Sequence, residues 1–173
     1  MAQCPGFVEA WEEDEDEEKA WFLETVAPWG LLFPGLARAE PTALGPDELQ
    51  RRLRSAAPAR LGLVPAGRSA DVPHRIGWPG ACNSARAGLG TAPLSVIMRS
   101  WEERFGASLL RLGYGTMEFF VERPPASEAS ALAVAAEHYC FAGDDGLQDN
   151  GAGSVRELAR LILGSARWHF WWD

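Results

Sequence analysis

Glu137 and His138 are neighbours in this chain of 173 residues, and Asp144 and Asp145 follow a few positions later. Histidine titrates near neutrality, so it is the side chain best suited to general acid–base work or to holding a metal. On a helix, consecutive residues project about 100° apart, so Glu137 and His138 cannot share one face. His138 lines up instead with Val134 and Phe141, at i−4 and i+3. One reading makes it a core or boundary histidine bonded to a backbone carbonyl. The other makes it a general base or metal ligand at a helix end, in a pocket that collects His138, Glu137, Asp144 and His169. Glu137 has a structural alternative of its own, pairing with an arginine such as Arg104 or Arg99.

Other chemistries lack their patterns. Asp144, Asp145, Asp149 and Asn150 fail the alternating ligands, central glycine and twelfth-place glutamate of a calcium loop. His74, His138, His169, Cys82 and Cys140 include no pair at zinc-finger or HExxH spacing. Cys140 follows His138 by two residues, which places the two on nearly opposite sides of a helix. No Gly-x-Ser-x-Gly elbow and no GxxxxGK[ST] loop occurs, and Gly88-Leu-Gly90 runs too soon into Pro93. No metal and no cofactor are expected.

Aromatic residues offer a different function. There are eight tryptophans, and Trp171-Trp172-Asp173 is an unusual end for a chain, since termini are commonly polar and frayed. Arg167 to Trp172 alternates: Trp168, Phe170 and Trp172 point one way, and Arg167, His169 and Trp171 the other. Trp171 is thus a candidate contact for a partner. Trp101, His169, Asp145 and Arg104 are further candidate binding residues, with Trp101 also readable as core and Glu102 and Arg104 as an outward-facing pair.

The elements that position these residues follow from periodicity and punctuation. Residues 7–27 read as a helix stopped by Pro28, and 28–46 as an irregular loop packing Trp29, Leu32 and Phe33. Pro46 opens a short helix, 46–56, with Leu49 and Leu53 at i and i+4. Arg60–Pro65 and His74–Trp78 read as strands, and 80–92 as a glycine-rich connection. Pro93 opens a helix whose Leu94, Ile97, Met98, Trp101 and Phe105 form an apolar stripe, and Gly106 ends it. Ser108–Tyr114 and Thr116–Glu122 form a hairpin. Ser127 caps an alanine-rich helix to about 141, and Gly143–Gly153 is a loop. Ser154-Val-Arg-Glu157 is a capping box for a helix ending at Gly164, and Arg167–Trp172 is a strand. Helices and hairpins are segregated, which predicts one α+β domain, 1–173, with a mainly antiparallel sheet covered by helices. Residues 1–45 form a helical and irregular extension whose place in the core is open.

Composition bounds the rest. A chain this long needs no disulfide or metal to fold, and its 47% apolar and 23% charged residues are ordinary for a globular protein. It holds no apolar run near the ~20 residues of a membrane span. Its N-terminus is acidic, and its three cysteines, Cys4, Cys82 and Cys140, read as reduced thiols. A cytoplasmic protein is expected. The net charge is −8, and seven acids run from Glu12 to Glu18. That argues against nucleic acid as a partner. The acidic run is either a solvated segment or a lure for a basic partner.

Several words of the sequence resemble one bacterial family, domain of unknown function 4253. Arg99-Ser-Trp-Glu-Glu-Arg-Phe-Gly-Ala107 is similar to its RSWE-RFGA motif. Pro124-Pro125, Ala135-Ala-Glu-His-Tyr139 and Trp168-His-Phe-Trp-Trp-Asp173 continue the match, strongest over 93–173. Gly77-Trp-Pro-Gly-Ala-Cys-Asn83, Pro28-Trp-Gly and Phe33-Pro-Gly-Leu36 are similar to further stretches. Tyr139-Cys-Phe-Ala-Gly-Asp-Asp145 departs from the family's F-A-F-C-P-D-N, keeping the aspartate at Asp144 and losing the proline. The resemblance implies no activity; it implies only an association with toxin or regulatory systems. The expectation is a non-catalytic protein-binding factor, of an immunity or regulatory kind, acting through an acidic and aromatic surface. The alternative is a small enzyme or ligand-binding protein with its pocket at His138, Glu137 and Asp144.

Overall fold

The apolar stripe after Pro93 becomes helix α4 (Ala92–Phe105), with Leu94, Met98, Trp101 and Phe105 buried along one side. These coordinates are a computed structural model that describes residues 16–54, 60–81 and 91–172. Gly106 takes a left-handed conformation, φ 62°, and its N–H returns to the Glu102 carbonyl. The chain then reverses into β1 (Ala107–Leu112), which pairs antiparallel with β2 (Thr116–Val121). The Gly113 N–H closes the turn on the Thr116 carbonyl at 2.8 Å. β3 (Arg167–Trp171) adds antiparallel to the other edge of β2, so the sheet order is β1-β2-β3. The result is an α+β fold with a wholly antiparallel sheet, as the segregation of helices and hairpin predicts.

Alternation decides which face of the sheet is core. Met117 pairs with Phe170 and Phe119 with Trp168, and all four are buried. Trp101 reaches them from α4. It stacks on Phe170 at 5.4 Å and meets Phe119, Phe141 and Trp168 edge to face. Such offset and T-shaped contacts let ring edges meet ring faces and add to simple area burial.

Two helices complete this layer. In α5 (Glu128–Asp149) the Ser127 hydroxyl accepts the Ser130 N–H, as a cap should. In α6 (Val155–Ile162) the Ser154 hydroxyl accepts the Glu157 N–H, and the Glu157 carboxylate accepts the Gly153 N–H at 2.7 Å. The reciprocal bond of the capping box therefore falls one residue further out than on Ser154 itself.

The N-terminal extension is tied to the core. In α1 (Asp16–Thr25) Phe22 and Thr25 are buried, as are Val26 and Ala37 beyond it, and the Leu44 N–H bonds the Glu122 carbonyl. Trp29 and Phe33 pack against the core as expected, but Leu32 is exposed. α2 is Pro46–Arg54.

Three expectations change. Residues 60–65 form no strand: Leu61 and Leu63 are about nine-tenths exposed, and alternation without a partner strand to pair with does not make one. His74–Trp78 is not a strand either. Pro73 seats in the first turn of a short α3 (Val72–Arg75), preceded by a 3₁₀ turn at Ser69–Asp71. The loop expected over Gly143–Gly153 is helical as far as Asp149, broken only at Gly143, where φ is 64° and ψ is −148°. Buried Gly146 and Leu147 hold that last stretch in place, so packing overrides the weak helix propensity of its aspartates. The start of the 7–27 helix, Cys4, Cys82, Gly88–Gly90 and Asp173 lie outside the described residues. Among the described residues no helix is long and apolar enough to cross a membrane.

Candidate functional site

Glu137 is buried on α5, and four donors surround its carboxylate. Arg104 on α4 grips it bidentately, at 2.8 Å to Oε1 and 2.6 Å to Oε2. The Trp101 indole donates to Oε2 at 2.8 Å, and the Ala37 backbone N–H to Oε1 at 2.7 Å. Arg104 also donates to the Ala37 carbonyl at 2.9 Å. One buried ion pair thus joins α4, α5 and the N-terminal extension. Glu137 pairs with Arg104, one of the two arginines offered for it. The outward pairing of Glu102 with Arg104 is corrected: Arg104 turns inward, and Glu102 takes Arg68 at 2.7 Å. A carboxylate with its lone pairs so fully engaged acts as a structural tie.

His138, one residue on, enters the aromatic core. Its ring lies 4.7 Å from both Trp168 and Phe170 and 5.3 Å from Trp101. Nε2 is buried and has no hydrogen-bond partner, and burial pushes the pKa down to about 3. The histidine is therefore neutral across the physiological range. The narrow cleft beside it is lined by Gly143, Leu147, Asn150 and Phe170, among others, and has no room for a water molecule. Neither Glu137 nor Asp144 lines it. Asp144 is half-buried past the Gly143 break. Desolvation raises its pKa, a hydrogen bond from Tyr139 opposes that, and the charge of Asp145 adds to it. Among the described residues, then, His138, Glu137 and Asp144 do not converge on an open site, and no group of three metal-ligating side chains occurs.

The outer face of the sheet is different. Cross-strand pairs put Arg167, His169 and Trp171 of β3 beside Phe120, Glu118 and Thr116 of β2, with Arg111 of β1 next to Glu118. Apart from buried Phe120, this face is half-exposed along its length. Glu118 pairs with Arg167 and stands 3.9 Å from Arg111. His169 Nδ1 contacts the Asp149 carboxylate at the end of α5, and the Asn150 amide donates to the His169 carbonyl at 3.1 Å. Trp171 and His169, two of the predicted contact residues, therefore share a surface. Trp101 and Arg104 do not belong to it: Trp101 is fully buried, and Arg104 is spent on Glu137. Asp145 is half-buried on α5. Residue types and spacing do not reveal Glu118 and Asp149 as neighbours of His169. Only the strand register brings the first there, and only the continuation of α5 brings the second.

The family-like words now have physical content. Arg99 bonds Asp71 at 2.8 Å, Trp101 and Arg104 bond Glu137, and Gly106 caps α4. Trp78 donates to the Gly113 carbonyl at 2.8 Å and meets Trp172 edge-on at 5.6 Å. Gly80 has no space for a Cβ, which would lie 2.1 Å from the Tyr114 carbonyl oxygen. Each of these residues positions part of the framework.

Fold and site define an α+β domain in which a three-stranded antiparallel sheet is helix-backed on one face and half-open on the other. The chain belongs to the family described as Domain of unknown function (DUF4253), whose model matches residues 60–173. Glu137, Arg104, Trp101 and the outer sheet face lie inside that stretch, whereas Ala37, which the ion pair holds, lies before it. No curated protein and no solved structure matches the chain.

Proposed function

We propose that this protein is a non-catalytic binding factor of the bacterial cytoplasm, of a regulatory or immunity kind, that engages a basic partner protein through the outer face of its sheet. The observation that carries the reading is the half-exposed row Arg167, His169 and Trp171, with Asp149 and Glu118 against it. A large rigid ring amid polar neighbours is the side chain that most often dominates binding energy at an interface. The net charge of −8, with seven acids in the run Glu12 to Glu18, favours a basic partner by steering its approach to the protein as a whole. The side chains that would serve catalysis, Glu137 and His138, are already committed to the interior.

The test compares capture from the native lysate by wild type, Trp171→Ala and Trp21→Ala, with folding checked by circular dichroism. Trp21 is the control because it is half-exposed on α1, beside the acids Glu17 and Glu18. Loss of one salt-sensitive partner in Trp171→Ala alone supports the sheet face. Equal capture by all three proteins, or loss only in Trp21→Ala, overturns it.

A further inference from the structure

A second surface lies between α5 and α6. α5 and α6 pack against each other, and the Gly164 N–H bonds the Pro125 carbonyl at 2.9 Å, which ties the end of one helix to the start of the other. Between them runs a trough of about 370 Å³. It is lined by the apolar Ala129, Leu132, Ala159 and Leu163 and by the charged Arg156, Arg160 and Glu128. The volume falls in the range of small-molecule sites, and apolar and charged side chains share the lining. Arg156 and Arg160 are one turn apart on α6, where like charges repel. Among the described residues neither arginine, nor Glu128, makes an ion pair. Two unneutralised guanidiniums against one carboxylate leave a local positive excess on a chain whose net charge is −8. Guanidinium forks match carboxylate and phosphate oxygens, and the aliphatic side chains of the lining match a hydrocarbon body.

We propose that this trough binds an amphipathic organic anion, with its apolar body on Leu132, Ala159 and Leu163 and its anionic head held by Arg156 and Arg160. The site is separate from the sheet face and does not depend on the partner proposed there. Octanoate is the probe, titrated into isotope-labelled protein and followed by amide chemical shifts, with octanamide and acetate as the uncharged and tailless controls. The expected result is saturable shifts confined to the residues around the trough, with both controls at least about tenfold weaker. Arg156→Gln/Arg160→Gln should weaken octanoate by about tenfold or more, and Glu128→Gln should tighten it by removing the opposing charge. Both changes are at exposed positions, and an unchanged amide spectrum elsewhere checks the fold. No saturation by about 5 mM octanoate, equal binding of octanamide, or shifts centred away from the trough would each overturn the proposal.

Discussion

Replacing Glu137 by alanine should be among the most destabilising single changes available to this protein. The substitution removes the acceptor of four hydrogen bonds and leaves the Arg104 guanidinium, only 15% exposed, without its counter-charge. Breaking a buried pair by deleting one partner costs about 3–5 kcal/mol, most of it the stranded charge. For a chain of this length each kcal/mol lowers the melting midpoint by roughly 2–4 °C, so a fall of roughly 6–20 °C is expected. Urea unfolding gives the free energy directly, and an unchanged m-value would show that the unfolded state is not the cause. The double variant Glu137→Leu/Arg104→Met separates the stranded charge from lost packing, since it removes both charges together. It should be less destabilised than the sum of its two single variants. A Glu137→Ala protein within about 1 kcal/mol of wild type, or a strictly additive double variant, would refute the claim that this pair ties the extension to the core.

Other consequences follow from single groups. Burial holds His138 near pKa 3, so below about pH 6.5 the unfolded chain takes up a proton that the folded one refuses. Stability should then fall by about 1.4 kcal/mol per pH unit toward pH 3, and His138→Phe should flatten that part of the pH–melting curve; an unaltered slope would argue against a sealed histidine. Asp144 has a raised pKa through desolvation, so its charge opposes folding at neutral pH. Asp144→Asn should raise the melting midpoint at pH 7, with the gain fading as pH falls through the carboxylate range. Gly143 occupies a backbone region that essentially only glycine reaches, and Gly143→Ala should cost about 1–3 kcal/mol by urea unfolding. A neutral result there would mean that α5 can straighten without penalty.

Much of the framework was legible because local chemistry dictated it. Pro93, the stripe Leu94 to Phe105 and Gly106 carry their own start, face and stop, and α4 follows them to within a residue. Ser127, Ser154 and Glu157 announce their helices for the same reason, since a cap satisfies orphan donors within a few residues of itself. The alternation of Arg167 to Trp171 also held, with Trp168 and Phe170 inward and His169 and Trp171 outward. Residues 60–65 and 74–78 are not strands because a strand needs a partner that no local pattern supplies, and among the described residues none pairs with Leu61 or Leu63. The stretch after Gly143 looked like a loop by composition, yet burial of Leu147 made it helix.

The site divides along the same line. Residue types and spacing were enough to pair Glu137 with an arginine and to set Trp171 opposite Trp168. They could not say that His138 would be closed in by Trp101, Trp168 and Phe170, because those rings come from elements far apart in the chain. Nor could they bring Asp149 to His169, or place Arg156 and Arg160 in one trough with Leu132. Local patterns act over a few residues, through backbone geometry and capping. Whether a polar group ends up buried, paired or open to a ligand depends on which distant surfaces meet it, and only the packed fold decides that.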